Sequence, residues 1–374
     1  MRIGLVDPQA TAERQAWISG WARRSRHQIL PFVLPASGPA PIAPSTFGER
    51  AERLARRLRR WLTGSGARNP AREPMGLPDL LLLTDGLDGS VFREALEDVL
   101  GDVPLWVYWH RSALAHPDPP PPEIAAVEIR TARSAHALLF YAEGQRRRFL
   151  ERLRQQASEA LPSVETKAHV LPPGFDPERP PAGTPILSRR LPEPLILWID
   201  RGGPEEPDLL AAALTSLGPR PPAFRLLALN ENPEAESHRA ARWPLAIRER
   251  LLGILRPGDP EAAAWASGAR LILETARGGP SPIALMTFAA QGPWPLVPSD
   301  SGFLDLLPEP LRPLCAYEAP EALAGHLARV LTAGPPEDPS VIRHALLPYT
   351  WPALAPCYDA MCEGAFHQRS SRAT

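Results

Sequence analysis

SGARLILETARGGPSPIALMTFAAQGPWPLVPSD, residues 267–300, decides the fold. It predicts a short apolar strand over 270–274, a turn-rich loop over 275–282, a helix over 283–291 and a second strand over 294–297. Strand, Gly/Pro-rich loop, helix and strand make the βαβ unit of a parallel sheet. Such units bind ligands at the carboxyl ends of their strands, where the next helix begins. Unpaired amides and the positive end of a helix dipole suit a phosphate there. Pro282 has no N–H to give, so the loop donors would be Gly279, Ser281, Ile283 and Ala284. Gly278-Gly279 is equally compatible with a plain tight turn.

The same alternation runs outward in both directions. Before the stretch, apolar runs predict strands over 1–7, 27–34, 77–84, 104–110, 137–141 and 167–171, with helices over 11–25, 47–63, 91–100, 123–134 and 143–160. Residues 184–194 have the composition of a linker. Strands over 195–199 and 224–229 and helices over 208–217 and 240–252 then lead back to the opening stretch. Beyond it come a helix over 320–332 and a helical region from 341 that Pro348, Pro352 and Pro356 should break. Two successive blocks imply two parallel-sheet α/β domains, over 1–183 and 184–340, with a tail over 341–374 packing back on the first. A cleft between two such domains is a favoured ligand site.

The chain has 374 residues, 44% hydrophobic and 22% charged, which suits a globular protein with sizeable cores. Its net charge of −1 predicts no bulk attraction to a polyanion. Basic charge is nearly all arginine, Lys167 being the one lysine. Six arginines (Arg50, Arg53, Arg56, Arg57, Arg59, Arg60) lie on the helix over 47–63, which is either a solvated face or a contact for RNA or membrane. Cys315, Cys357 and Cys362 lack zinc-ligand spacing and suit a reducing compartment. With no signal-peptide pattern and no apolar run near the ~20 residues of a membrane span, a soluble, cytoplasmic protein is expected.

Several segments share one resemblance. HVLPPGFD (169–176) resembles the exit from the N-terminal domain of retaining GT-B glycosyltransferases, where the glycine makes a turn with φ > 0. The 267–300 stretch resembles their nucleotide-sugar loop, and LILWIDR (195–201) resembles the first strand of their donor domain. Within that class the tRNA-queuosine mannosyltransferase-like family is the most similar. Its patterns are matched by Trp17-Ile18-Ser19-Gly20, FVLPA (32–36), YWHRSALAHP (108–117) and ALLFYAEGQRRRFLERL (137–153), collinear from residue 3 to about 331.

The resemblance implies a fold of two facing Rossmann-like domains. It implies retaining transfer of a hexose from a nucleotide-diphosphate donor, GDP-mannose, to queuosine in tRNA. No metal is implied, and there is no Asp-x-Asp to hold one. Arg201 would meet the donor diphosphate, His110 would contact the sugar or move a proton, and Asn230 and Glu231 would lie by the base or ribose. Asp7 and Gln9 would line the acceptor side. Two positions depart from the family pattern, since Gly279 and Thr287 stand where it has donor-binding glutamates. Arg201 is followed by Gly202-Gly203 where a second basic residue is expected, and His110 by Arg111-Ser112-Ala113 where Glu-Asn-Gln is expected. Those departures leave open a second reading, a catalytically silent relative that keeps the fold as a binding module.

Overall fold

The computed structural model describes residues 1–35, 46–63, 76–177, 191–279 and 282–370. Of the expected segments, the loop over 37–46 except its last residue, the turn region over 64–76 except its last residue, most of the 184–194 linker, and Ser281 lie outside the described residues. The chain divides into two compact units. One holds residues 1–10, 18–172 and 352–374, and the other holds 11–17 and 173–351.

The first unit is built on six parallel strands, β1 (Arg2–Ala10), β2 (Gln28–Pro35), β3 (Leu80–Thr84), β4 (Leu105–Trp109), β5 (Ala137–Phe140) and β6 (Ala168–Val170), in the order β2-β1-β3-β4-β5-β6. β3, β4 and β5 are buried along their whole length, which explains their unbroken apolar sequences LLLLT, LWVYW and ALLF. Ala51, Leu54, Ala55, Leu58 and Leu62 on the helix Thr46–Thr63 pack into the same core as Leu81, Leu83 and Phe92.

The second unit repeats the plan with β7 (Leu195–Ile199), β8 (Arg225–Leu229), β9 (Leu251–Leu255), β10 (Leu271–Glu274), β11 (Trp294–Pro298) and β12 (Ala316–Tyr317), all parallel, in the order β12-β11-β10-β7-β8-β9. The opening stretch therefore forms the expected βαβ unit, β10, the helix Ile283–Ala289 and β11. Strand order reverses between β1 and β3 in one sheet and between β7 and β10 in the other. At such points the chain leaves adjacent strands in opposite directions and opens a crevice beyond their carboxyl ends.

Three expectations are corrected. The helix expected over 240–252 is instead two short helices, Pro233–Ala240 and Leu245–Arg248, followed by β9. Pro244 stops the helix before it, and β9 is a half-exposed outer strand whose interrupted apolar pattern imitates a helix. The helix expected over 91–100 is broken at Ala95-Leu96 into Gly89–Glu94 and Glu97–Leu100. Pro352 and Pro356 do not end the C-terminal helix, which runs Trp351–Ser370 with Pro352 in its first turn and Pro356 inside it.

Gly174 also has a different reason from the one the resemblance implied. It is not among the positive-φ glycines. A Cβ there would instead lie 2.4 Å from the Trp351 ring. That ring cannot retreat easily, because Trp351 N–H donates to Phe175 O at 2.9 Å and Phe175 N–H to Tyr349 O at 3.2 Å. Gly174→Ala should therefore destabilise the protein by about 2–3 kcal/mol through overpacking. Chemical denaturation measures this, and a loss below about half a kcal/mol would contradict the contact.

Candidate functional site

In the second unit the two strands flanking the switch point, β7 and β10, and the adjacent β8 each end in an acid or reach one within two residues. Asp200 follows β7, Asn230 and Glu231 follow β8, and Glu274 is the last residue of β10. Arg201 stands among them. Its Nε donates to Glu274 Oε1 at 3.1 Å and its Nη1 to Glu13 Oε1. The side chains of Arg201, Glu13 and Glu274 are 13%, 8% and 2% exposed, so this ion triad is largely withdrawn from water. Arg201 Nη2 is buried with no hydrogen-bond partner among the described residues. The two carboxylates hold the guanidinium firmly charged against its own desolvation.

Each partner is positioned by a further carboxylate or hydroxyl. Glu231 accepts from Ala12 N–H at 2.8 Å and Glu13 N–H at 3.2 Å, capping the helix Ala12–Ala22 from 219 and 218 residues away. Tyr317 Oη donates to the Glu274 carbonyl at 2.7 Å. Glu206 accepts from Arg201 N–H (3.2 Å), Gly203 N–H (2.9 Å) and Thr275 Oγ1 (3.0 Å), and the Trp198 indole N–H donates to Thr275 Oγ1 at 2.9 Å. The Gly202-Gly203 turn is thereby tied to Glu206 and to Asp200, which accepts from Gly202 N–H at 2.9 Å. Gly202 itself requires its positive φ of 80°.

Asn230 is buried with its amide donating to Asp200 Oδ2 at 2.9 Å and to Asp200 O at 3.1 Å, while its Oδ1 accepts from Asn232 N–H. Beside it, burial raises both the Asp200 and the Glu236 carboxyls, and the Asp200 charge pushes Glu236 further, up to about 7. Arg239 donates to Glu236 Oε2 and to Gly202 O, both at 2.9 Å. Burial pushes Glu206 up to about 7 and raises Glu13, Glu231 and Glu274. Carboxyls thus outnumber cations here, unlike the cationic cradle that a phosphate site requires.

The loop shows the same character. Gly278 N–H lies 3.5 Å from Asp300 Oδ1, and Asp300 is also paired with Arg277. A Cβ at Gly279 would lie 3.4 Å from Glu274 Oε1, so a carboxylate from the strand end stands next to the position where the family pattern has one in the loop. Ile283 and Thr287 are buried, 3% and 8% exposed, in a helix of 7 residues. Arg201, Asn230 and Gly279 therefore share one neighbourhood, centred on Asp200 and Glu274.

His110 lies in the first unit, just after β4. It is 1% exposed, its backbone N–H donates to Asp85 Oδ1 at 3.0 Å, and its ring packs on Tyr108 at 4.6 Å between centroids. Asp7 accepts from Thr84 Oγ1 (2.8 Å) and Gln9 N–H (3.0 Å) at the β1/β3 switch point. The Arg111-Ser112-Ala113 run has a local purpose. Ser112 Oγ, Ala113 N–H and Leu114 N–H all donate to Glu128, a carboxyl that burial pushes up to about 7. On the helix Thr46–Thr63, Arg53, Arg56, Arg57 and Arg60 are exposed and Arg59 is half-buried. Arg59 pairs with Asp98, Arg56 with Glu52, and Arg57 lies over the Phe32 ring at 5.6 Å.

Arg201 is legible in the sequence, but its pairing with Glu13 and Glu274 is not. Asp200, Glu231 and Glu274 are visible as acids closing LILWID, LLALNE and LILE, a repeated signal at strand ends. Glu13 carries none, because its partner is 188 residues away. Among the described residues no group of His, Cys, Asp or Glu is arranged to hold a metal ion, and no helix is long and apolar enough to cross a membrane.

No protein-family profile matches the chain, and no curated protein sequence does. Solved structures do match over nearly its whole length. HepE of Anabaena in complex with UDP and glucose superposes with a TM-score of 0.66 at 11% identity, covering 97% of this chain and 100% of that one. Sucrose-phosphate synthase of Thermosynechococcus elongatus gives 0.66 at 12%, covering 100% of both. The N-terminal domain of Candida albicans trehalose-6-phosphate phosphatase gives 0.63 at 11%, covering 97% and 96%. With its two parallel six-stranded sheets, each bearing helices, the chain has the two Rossmann-like units of the GT-B fold.

Proposed function

We propose that this chain is a GT-B glycosyltransferase that binds a nucleotide-diphosphate sugar in its second unit and moves the hexose to an acceptor with retention. The observation that carries the reading is Arg201. It stands beyond the carboxyl end of β7 at the switch point beside β10, with one guanidinium nitrogen buried and lacking an acceptor among the described residues. A guanidinium there would meet the charge that builds on a leaving diphosphate, and no protein nucleophile is needed if attack comes from the face the diphosphate leaves. His110 is the first unit's candidate for the sugar side. By resemblance the sugar is mannose, the donor GDP-mannose and the acceptor queuosine in tRNA, with the arginine face of Thr46–Thr63 as the RNA contact. HepE, with its bound UDP, supports testing uridine donors alongside.

A specific observation favours a second reading, a silent binding module. Arg201 is already neutralised by Glu13 and Glu274, Gly279 and Thr287 stand at the usual glutamate positions, and one matching structure is a domain of a phosphatase. Thermal-shift titration with GDP-mannose, UDP-glucose and the free diphosphates separates the two. A transferase should be stabilised in proportion to RT ln(1 + [L]/Kd), whereas no shift at millimolar nucleotide in either the wild type or Glu13→Gln sinks the transferase reading. A tRNA titration at low salt tests the acceptor. Affinity that does not weaken when Arg53, Arg56, Arg57 and Arg60 become serine removes that face from the proposal.

A further inference from the structure

We infer that Glu13 and Glu274 act as a built-in competitor for Arg201, closing the donor site against a diphosphate until one of the two carboxylates is displaced. This rests on the nucleotide-sugar reading above and concerns the regulation of the same site. A diphosphate presents to a guanidinium two anionic oxygens at the spacing of a bidentate fork. Here the fork is taken. Nε is held by Glu274 and Nη1 by Glu13, leaving only Nη2 without an acceptor among the described residues. The competitor is not an incidental surface contact, since the Glu13 and Glu274 side chains are 8% and 2% exposed.

It is also tethered at both ends. Glu274 is fixed by its place in β10, paired with Ile199 of β7. Glu13 is fixed by Glu231, which receives its backbone N–H at 3.2 Å. A diphosphate approaching Arg201 would meet three further acidic groups, Glu231, Glu206 and Asp200, while the neighbouring cation Arg239, which donates to Gly202 O, is already paired with Glu236. Like charge at these distances in a buried setting disfavours the anion strongly. The elements of a donor site are therefore present, with the protein's own carboxylates standing where the phosphates belong. Removing one of the two negative charges while keeping the shape should open the site.

The test is isothermal titration of the full-length protein with UDP-glucose and GDP-mannose at pH 7.5. Wild type, Glu13→Gln, Glu274→Gln and the double variant Glu13→Gln/Arg201→Met are compared, with circular dichroism to confirm folding. The expected result is a gain of about 10- to 100-fold in affinity for either single glutamine variant, abolished in the double variant. Glu13→Gln alone decides the matter if Glu274→Gln does not fold, because that substitution lies in the first turn of a helix and keeps the side chain's volume. Wild-type binding that neither glutamine improves overturns the competitor and leaves the nucleotide-sugar reading standing. Absence of binding by every variant overturns both.

Discussion

Replacing Arg201 with methionine should lower the stability of the second unit by about 3–5 kcal/mol at pH 7.5, the cost of leaving buried carboxylates without their cation. The reason is the asymmetry of buried ion pairs. Assembling the triad gained little, because desolvating three ionised groups offset most of their attraction. Breaking it is a different matter. Glu13 and Glu274 would remain buried without a cation, with Glu231 and Glu206 still nearby. Methionine fills most of the arginine's volume, so the loss reports charge and not a cavity. Adding Glu13→Gln and Glu274→Gln to Arg201→Met should recover most of the stability, since no unpaired charge is then left. Denaturant unfolding followed by tryptophan fluorescence measures the series, Trp198 lying one hydrogen bond from Thr275 in the same cluster. A single-variant loss under about 1 kcal/mol would mean that water screens the triad and would remove its claim to rigidity.

The contrast between what is legible in the sequence and what is not follows from the range of the forces involved. LLLLT, LWVYW and LILWI announce central parallel strands because both faces of each must be apolar, a constraint written in consecutive residues. β9 escapes because an outer strand has one wet side, and LLGIL following Arg248 and Arg250 imitates a helix. β12, at 2 residues, is too short to carry any periodicity.

The site divides along the same line. Arg201 and Glu231 are legible because each follows a strand end, whereas Glu13 and the capping of its helix by Glu231 acquire meaning only when the fold joins residues 188 and 219 positions apart. Gly174 illustrates a related limit. Its glycine is legible, but the cause, the face of Trp351, is a contact made only in the fold. The Arg111-Ser112-Ala113 departure likewise becomes intelligible once Glu128 is seen to receive three donors from that turn.

The protein should lose stability as pH rises from about 5 to 8, opposite to a protein whose carboxylates are chiefly stabilised by salt bridges. Burial pushes Glu128 and Glu206 up to about 7, from an ordinary value of 4.5, and raises Glu236 as well. Between 4.5 and 7 the folded state therefore holds protons that the unfolded chain has released. With more protons bound to the native state, the slope of unfolding free energy against pH is negative, so stability is fully present below the unfolded pKa and is lost through the folded one. For a shift of this size the loss approaches about 3 kcal/mol for each of the fully buried pair Glu128 and Glu206.

Two depressed histidines, His169 and His326, oppose the trend, but His169 is exposed and His326 only half-buried, and both act below 6.5. The depressed carboxylate Asp88 acts below 3.8, outside the window. Glu236→Gln removes one of the second unit's two such carboxyls, Glu206 being the other. Without an ionisable group opposite Asp200, the variant should be more stable than wild type at about pH 8, indistinguishable from it near pH 5, and flatter in between. Urea midpoints at half-unit steps of pH read this directly. A wild-type stability that climbs across that window would show that these carboxyls are ionised in the folded state, and would return the cluster around Asp200 to an ordinary set of solvated acids.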